Sequence, residues 1–368
     1  MLKLPSLYLF YFVFISYSAS AWSMRDSIPS SPWAINAYAE IFTTFKSNQT
    51  AGQRLSDFQY NHNRIKKLAL NQACLDASYI TSTFRMNVAL QAGTYVVDNY
   101  AAEPAPLRAL YRASAAIRLS KKKEAWLEAG TFPSYVGFES VSSFENATLT
   151  RSLFAENSPY FLTGLQANYP INEKNDLSFH LHTGWQRIVP QKENSLPSFG
   201  WQWVHLFRNE NKFNWSVWIG SDYPDTTRRM RYFNNLYFRG KQDKFAYTLG
   251  FDIGAEQKAK GSSDFFIWYS PVAIFQYSFS PHWRAAIRVE RYADPNRVVV
   301  KPSNAYAALV NSQSLNIDFV PIPNLLCRLE WRSFQGNSPI FLATNRYLSR
   351  TNYLTLSVAY QLRDILSL

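Results

Sequence analysis

The residues of this sequence that most resemble a catalytic group are Ser178, His180 and His182, with His205 further along the chain. A serine activated by an imidazole can act as a nucleophile, and a strand with a period of two would place Ser178, His180 and His182 on one face. Catalysis also needs a group that orients the imidazole, and no acidic residue stands at an obvious position for that role. We therefore expect the histidines to be wall residues, and a hydrolase stays open as an alternative.

Other chemical motifs are missing from the sequence. There is no glycine-rich phosphate loop, no His-Glu-x-x-His helix and no zinc-spaced group of cysteines and histidines, so we expect neither a metal nor a cofactor. Cys74 and Cys327 are the two cysteines, and they fall in an early and a late strand. We expect them to remain unpaired on opposite faces of the wall.

The N-terminus predicts export. Residues 1–3 carry one lysine, Leu4–Tyr17 is apolar, and residues 18–21 are small and end in an Ala-x-Ala pattern. This order is typical of a secretory signal peptide, so we expect cleavage after Ala21 and one mature domain over 22–368. Export argues against nucleic acid as the partner of a chain with a net charge of +12, and favours anionic solutes or lipid head groups.

The elements that must position these residues are strands. After Trp22 no apolar run approaches the length of a membrane helix, whereas blocks of about ten residues alternate between apolar and polar positions. In the block that begins at Phe84, for example, Met86 and Val88 alternate with Arg85 and Asn87. Only a closed barrel could satisfy such strands in lipid, with apolar side chains outward and polar ones inward.

We predict an all-β fold, a closed antiparallel transmembrane barrel of about sixteen strands. The predicted strands are 34–44, 68–80, 83–95, 110–119, 124–132, 160–169, 176–187, 199–208, 212–221, 229–239, 244–256, 265–279, 283–293, 312–320, 325–335 and 352–363. Short and long connections alternate between them, as do the periplasmic turns and extracellular loops of outer-membrane barrels. Alternation is poor in 199–208, 229–239 and 265–279, where Pro271 also stands, so we expect bulges or shifted boundaries there.

Charged and imidazole side chains on the polar face are the candidate pore lining. They are Arg85, Arg112, Arg118, Glu128, His180, His182, Asp252, Arg284, Arg288, Glu290, Arg328, Glu330 and Arg332. Arginines outnumber acids, and hydrated rings of fixed charge set ion preference in a channel, so we hypothesise a weak preference for anions. The alternative is that the charges pair with each other and only stiffen the wall.

The longest loop, over residues 133–159, is the candidate constriction. It is apolar for a surface loop, so we expect it to pack against other parts of the protein. Its charged residues Glu139, Glu145, Arg151 and Glu156 would then face the basic wall. A lid that packs on neighbouring loops outside the lumen is the alternative.

At this loop the chain resembles the β-barrel porins of the OmpL-like type. The residues that carry the resemblance are 127–132 (LEAGTF), 137–139 (GFE), Arg151-Ser152, Pro159 and Thr163-Gly164. In that family a strand that ends in Gly-x-Phe leads into Gly-Tyr-Glu, and here Phe138 replaces the tyrosine. The resemblance implies a pore-forming outer-membrane barrel over residues 34–363.

The sequence therefore predicts a porin-like channel in the bacterial outer membrane, which passes small hydrophilic solutes or ions, contacts lipid and could form a homo-oligomer. An adhesin, receptor or scaffold barrel that acts through its loops is a second class, with Arg54, Asp57 and Tyr60 as a candidate surface. The ending Ile365-Leu366-Ser367-Leu368 lacks the terminal aromatic residue that other outer-membrane barrels use in assembly. Leu362 or Leu368 could substitute for it.

Overall fold

One closed barrel accounts for most of the chain. The computed structural model describes residues 31–47, 54–56, 58–302, 304, 306–344 and 346–365. Sixteen strands among these residues form the barrel, in which sequence neighbours pair antiparallel and the last strand pairs with the first. The predicted fold class is confirmed. Both the expected signal peptide and Leu368 lie outside the described residues.

The elements follow one another as strands with three short helices in the loops. The barrel strands are β1 (Trp33–Lys46), β2 (Ala69–Ile80), β3 (Phe84–Ala92), β4 (Leu110–Arg118), β5 (Trp126–Pro133), β6 (Phe161–Asn172), β7 (Asn175–His182), β8 (Ser198–Leu206), β9 (Lys212–Gly220), β10 (Arg231–Gln242), β11 (Phe245–Gln257), β12 (Phe265–Ser278), β13 (Trp283–Asp294), β14 (Ala308–Ile322), β15 (Leu325–Gly336) and β18 (Arg350–Leu362). Helices α1 (Thr94–Asn99), α2 (Ala105–Arg108) and α3 (Leu153–Glu156), and a hairpin of β16 (Phe341–Leu342) and β17 (Tyr347–Leu348), lie between them. None of these helices is long enough to cross a bilayer, and no other helix of the described residues is.

The alternation of side chains explains why these strands close into a barrel. In β3, Met86 and Val88 are exposed, whereas Asn87 between them and Gln91 further along the strand are buried. Large apolar side chains are exposed in this way on strands all round the barrel. A soluble protein would bury such side chains, and a barrel in lipid presents them to the acyl chains.

Connections at the two ends of the barrel differ in length. At one end the strands are joined by short turns, for example 81–83, 173–174 and 323–324. At the other end lie eight longer loops, which we number L1 (47–68), L2 (93–109), L3 (134–160), L4 (183–197), L5 (221–230), L6 (258–264), L7 (295–307) and L8 (337–349). In outer-membrane barrels the short turns face the periplasm and the long loops face the exterior.

In the three poorly alternating blocks the expected bulges are absent, whereas the alternative of shifted boundaries holds for β10, which is Arg231–Gln242 instead of 229–239. Strands β8, β10 and β12 keep one register with their neighbours, and Pro271 pairs with Phe251 without a shift. Alternation fails there because inward positions are also apolar: Trp268, Val272 and Ile274 are inward and buried. The physical reason is L3, which packs on this part of the inner wall.

Some strand boundaries differ from those expected from the sequence, and the two cysteines lie as expected. Strand β3 ends at Ala92 because α1 starts at Thr94, and β14 begins four residues earlier than expected, at Ala308. Cys74 and Cys327 are both free. Cys74 pairs in register with the inward Gln91, and Cys327 is adjacent to the inward Arg328, so the two thiols lie on opposite faces of the wall.

Candidate functional site

L3 folds back into the lumen and contacts the inner wall at several points. The Tyr135 hydroxyl donates to the carbonyl of Val217 on β9 at 2.6 Å, and the Gly137 amide donates to Asn235 on β10 at 3.1 Å. Further along, the amide of Ser143 donates to the hydroxyl of Tyr38 on β1, also at 3.1 Å. The loop therefore crosses the barrel from β9 to β1 instead of projecting away from it.

Two glycines mark the point where the loop leaves the wall. Gly130 on β5 and Gly164 on β6 are directly paired and have φ values of 135° and 151°. A Cβ atom would lie 2.1 Å from the carbonyl oxygen of Ala113 at the first position and 2.0 Å from that of Leu181 at the second. Only glycine tolerates this backbone conformation and this close approach. This explains the glycines in the two family-like motifs at the base of L3, residues 127–132 and Thr163-Gly164.

Tyr135 seats the first turn of L3 on the histidine strand. Its ring stacks on His180 with a centroid distance of 3.8 Å and on His182 at 5.7 Å. Ser178 and Nε2 of His180 are 2.8 Å apart, but Nδ1 of His180 has no hydrogen-bond partner among the described residues. Both imidazoles face inward and are buried under L3.

The Gly-Phe-Glu stretch holds the two limbs of L3 together. Phe138 packs on Phe154 at a centroid distance of 5.1 Å, while Glu139 accepts hydrogen bonds from the amide, at 2.9 Å, and the hydroxyl of Ser152. Arg151 donates to the carbonyl of Glu139 at 3.1 Å and stacks on Tyr160. Burial raises the pKa of Glu139, and the nearby arginines and Ser152 oppose that rise. The residues of the resemblance motif thus contact each other.

Three wall arginines bind the backbone of L3. Arg288 donates to the carbonyl of Thr150 at 2.6 Å, Arg328 to that of Ser143 at 2.7 Å, and Arg332 to that of Arg151 at 2.9 Å. A loop that folds into a barrel has carbonyl groups with no ladder partner, and the guanidinium group offers five donors to satisfy them.

Carboxylates on the same strands complete this network. Glu330 accepts from the Thr150 amide and from Arg288 at 2.7 Å, and Glu290 accepts from the Leu153 amide at 2.6 Å and from Arg332 at 2.5 Å. All these side chains face inward, as does Asp252, which accepts from Asn235 at 2.7 Å.

The wall network differs from the hydrated lining expected from sequence. Arg288 and Glu330 are each 1% exposed, and Arg328 is 3% exposed, because L3 covers them. In the mid-barrel region of β13–β15, the charges are paired with each other and with the loop.

A second group of inward charges remains in contact with water. Arg85, Arg112, Arg118 and Arg284 are partly exposed, on β3, β4 and β13. Arg112 donates to Glu128 at 3.0 Å, Arg118 pairs with Glu124 at 2.5 Å, and Arg284 lies 3.5 Å from Asp318. Arg85 stacks over Trp126 with 3.7 Å between the guanidinium carbon and the ring centroid. Except for Arg112, these arginines lie at the short-turn end.

Glu145 stands at the inner tip of L3. Burial raises its pKa to about 8, while Ser140 and two nearby arginines, Arg363 and Arg239, oppose the rise. Its Oε2 atom has no hydrogen-bond partner among the described residues. At neutral pH this carboxyl is therefore mostly protonated and adds little negative charge to the lumen.

Glu156 contacts L1, a loop whose burial the sequence did not predict. Its carboxylate accepts hydrogen bonds from the amide of Tyr60 at 2.8 Å, from Asn61 Nδ2 at 3.2 Å and from the hydroxyl of Tyr160 at 2.8 Å. The inner part of L1, around Phe58 and His62, is buried. Its polar composition is typical of a surface loop, and the only sequence signals of burial were one phenylalanine and one isoleucine.

The closed sheet, the apolar outer belt and the inward loop define a porin-type barrel of the bacterial outer membrane. The chain belongs to the family described as "Putative beta-barrel porin-2, OmpL-like", whose model matches residues 32–362. None of the curated proteins is a significant match.

Solved porin structures share this fold at low identity. The anion-selective porin from Comamonas acidovorans is 6% identical, with a TM-score of 0.58 over 90% of this chain and 99% of that one. The outer-membrane channel DcaP of Acinetobacter baumannii is 10% identical, with a TM-score of 0.59 over 92% of this chain and 99% of that one. OmpF of Salmonella typhi, in complex with daunomycin, is 10% identical, with a TM-score of 0.55 over 90% and 97%.

Proposed function

We propose that this porin passes small hydrophilic solutes and weakly prefers anions. The observation that carries the proposal is the division of inward charges into two groups. Those in the mid-barrel region of β13–β15 are buried with L3, whereas Arg85, Arg118 and Arg284 at the short-turn end are in contact with water. A solute would meet only the second group, in which arginines predominate, and fixed charges at close range set ion preference.

The balance of charge at the short-turn end supports the preference for anions. Arg85 and Arg118 share one carboxylate, Glu124, and Arg239 and Arg363 lie near Glu145, which is mostly neutral at pH 7. Positive charge therefore exceeds negative charge where water reaches the wall. Water screens these charges, so the expected selectivity is weak.

Reversal potentials in a salt gradient test this proposal. Refolded protein in a planar bilayer should conduct and show a potential of the sign that anion permeation gives. The double variant R85Q/R118Q leaves Glu124 without its arginines and should move the potential towards cation permeation. K121Q, in the adjacent exposed turn, is the matched control and should leave it unchanged. Absence of conductance would contradict the channel function. Clear cation preference in the unmodified protein would contradict the anion preference.

Two alternatives have less support from the geometry. The Ser178–His180 contact lies under Tyr135, and among the described residues no carboxylate bonds to the imidazole. Tyr60, part of the candidate adhesin surface, is bound through its amide to Glu156 at the loop interior. Asp57 lies outside the described residues.

We also propose that the outer face of β1–β6 contacts further copies of the chain. Alanines alternate there with larger apolar side chains such as Leu75 and Val88, whereas aromatic rings such as Phe179, Trp201 and Phe251 are frequent on the outer face of β7–β13. The small residues are Ala37, Ala39, Ala73, Ala77, Ala113, Ala115, Ala129 and Ala167. Small side chains allow close packing in lipid. OmpT of Vibrio cholerae, 6% identical with a TM-score of 0.54 over 90% of this chain and 98% of that one, has been solved in a trimer form. Cross-linking in detergent should give oligomers. The A115W substitution should dissociate them, whereas L249W, on the outer face of β11, should not.

A further inference from the structure

Inward side chains change from buried to partly exposed along the barrel axis. Towards the long loops they are buried on strands all round the barrel, for example Thr44, Gln72, Trp218 and Phe334. At the short-turn end some inward side chains, such as Arg239, are partly exposed, and others, such as Trp126, are buried. A permanently open pore would leave its lining wet along its length. Among the described residues, the inner wall is therefore shielded from water towards the exterior, and water reaches part of it towards the periplasm.

The segment Phe58–Ile65 of L1, which we call the L1 cap, is largely buried at the outer mouth. Phe58 packs against Phe334 on β15 and Phe341 in L8, with centroid distances of 6.2 and 6.0 Å. Near its other end, His62 packs on Phe42 of β1 at 5.1 Å. The L1 cap thus packs on neighbouring elements of one side of the mouth, since β15 is two strands from β1 in the barrel, and reaches L3 in the lumen through Glu156.

Three carboxylates on three different elements hold the L1 cap. Glu156 of L3 accepts the hydrogen bonds from Tyr60 and Asn61 given above. Glu40 of β1 lies 3.0 Å from Nε2 of His62, and Asp98 of L2 accepts from Arg64 at 2.7 Å. Because these contacts are made by side chains at single points, they can break without disturbing the barrel ladder.

L3 and the L1 cap are attached in different ways. L3 is bound by three buried arginines of the wall, and removal of any one leaves a buried carboxylate or carbonyl without a partner. The L1 cap has main-chain contacts with the wall chiefly at one end, where Lys66 donates to the carbonyl of Thr44 at 2.8 Å and the Thr44 hydroxyl donates to the carbonyl of His62 at 2.9 Å. That end can act as a hinge, and the Glu156 end can release.

We propose that the L1 cap is the gate of this porin, which opens to the exterior when its contacts with Glu156 break while L3 stays in place. The proposal rests on the channel function proposed above. Opening would uncover the water-accessible basic region at the short-turn end without a change in the barrel wall. Solute entry would then depend on the fraction of molecules with the L1 cap released.

E156Q tests the gate, because the amide cannot accept all the hydrogen bonds that converge on the carboxylate. Loss of one hydrogen bond to a charged group shifts an equilibrium by at least about tenfold, which corresponds to about 1.4 kcal/mol. We therefore expect the open probability in planar bilayers to rise at least about tenfold. E193Q changes an exposed carboxylate of L4 and is the matched control, for which no change is expected.

A second readout reports the position of the L1 cap without relying on conductance. Gln59 is 4% exposed, so Q59C, placed in a C74S/C327S background, should react slowly with an external maleimide. E156Q should accelerate this labelling by at least about tenfold, the same factor as the open probability. R64Q, which breaks the contact with Asp98 and lies outside L3, gives a second test if E156Q does not refold.

The outcomes separate the two proposals. Faster labelling together with a higher open probability supports the gate. Steady conductance that is equal in the unmodified protein, E156Q and R64Q, with unchanged labelling, would overturn the gate and leave the channel standing. Faster labelling with no conductance in any variant would overturn the channel function, and the gate with it.

Discussion

Replacement of Arg288 by methionine removes the side chain that connects most parts of the lumen. Its guanidinium donates to the Thr148 hydroxyl at 2.9 Å, to the Thr150 carbonyl at 2.6 Å and to Glu330 at 2.7 Å. Methionine keeps much of the length but has no donor, so Glu330 loses a buried cation. Removal of one partner from a buried ion pair costs about 3–5 kcal/mol. We expect R288M to lower the free energy of unfolding by that amount.

Denaturant unfolding of the refolded protein, followed by tryptophan fluorescence, measures this loss. R291M is the matched control, since Arg291 lies on the same strand but faces outward, with one contact to Asn311 at 3.5 Å. An exposed pair contributes about 0–1 kcal/mol, so this variant should change little. R288M/E330Q has no unpaired carboxylate and should recover at least half of the loss.

Equal unfolding midpoints for R288M and R291M would refute this reasoning, because they would mean that the buried network adds nothing to the attachment of L3. Recovery in the double variant distinguishes a lost ion pair from a simple packing defect. A packing defect would persist, or worsen, when Glu330 is also changed.

Three further predictions concern the lumen. Because the pKa of Glu145 is raised to about 8, its carboxyl is neutral below that pH and negative above it. Reversal-potential measurements should therefore show an anion preference that declines between pH 7 and 9. E145Q should show no such decline. G200A should lower the free energy of unfolding by about 1–3 kcal/mol, since a Cβ would lie 1.9 Å from the Tyr135 hydroxyl and must displace it; Y135F, which removes that hydroxyl, should reduce the loss. A charged thiol reagent added on the periplasmic side should lower conductance in C327A but not in C74A, because only Cys74 faces the lumen.

The strands were predictable because lipid imposes a rule that each residue obeys separately. Positions such as Met86 and Val88 must be apolar whatever the rest of the chain does, so a period of two is visible in the sequence alone. The inner wall obeys no such rule. Trp268 and Ile274 are inward and apolar only because L3 lies on them. In the sequence of one strand, such residues look like a break in the alternation of apolar and polar positions.

The inner loops were predictable only where their own composition gave a signal. L3 has many aromatic residues, and its inward course agrees with that signal. The inner part of L1 is mostly polar, and it is buried because Glu156, Glu40 and Asp98 supply partners from three distant segments. Burial that depends on such long-range pairing leaves no local trace, so sequence reasoning assigned L1 to the surface.

The basic excess of this chain therefore has two physical origins. An irregular loop inside a barrel carries main-chain carbonyls that no ladder satisfies, and arginines such as Arg328 and Arg332 satisfy them while carboxylates balance the buried charge. Those arginines are needed wherever a loop occupies the lumen, whatever solute passes. Only the remaining charges at the short-turn end, including Arg85 and Arg118, lie where water and a solute can reach them. Net charge alone thus overstates the field that a solute would meet, and the anion preference that we propose depends on the water-accessible arginines.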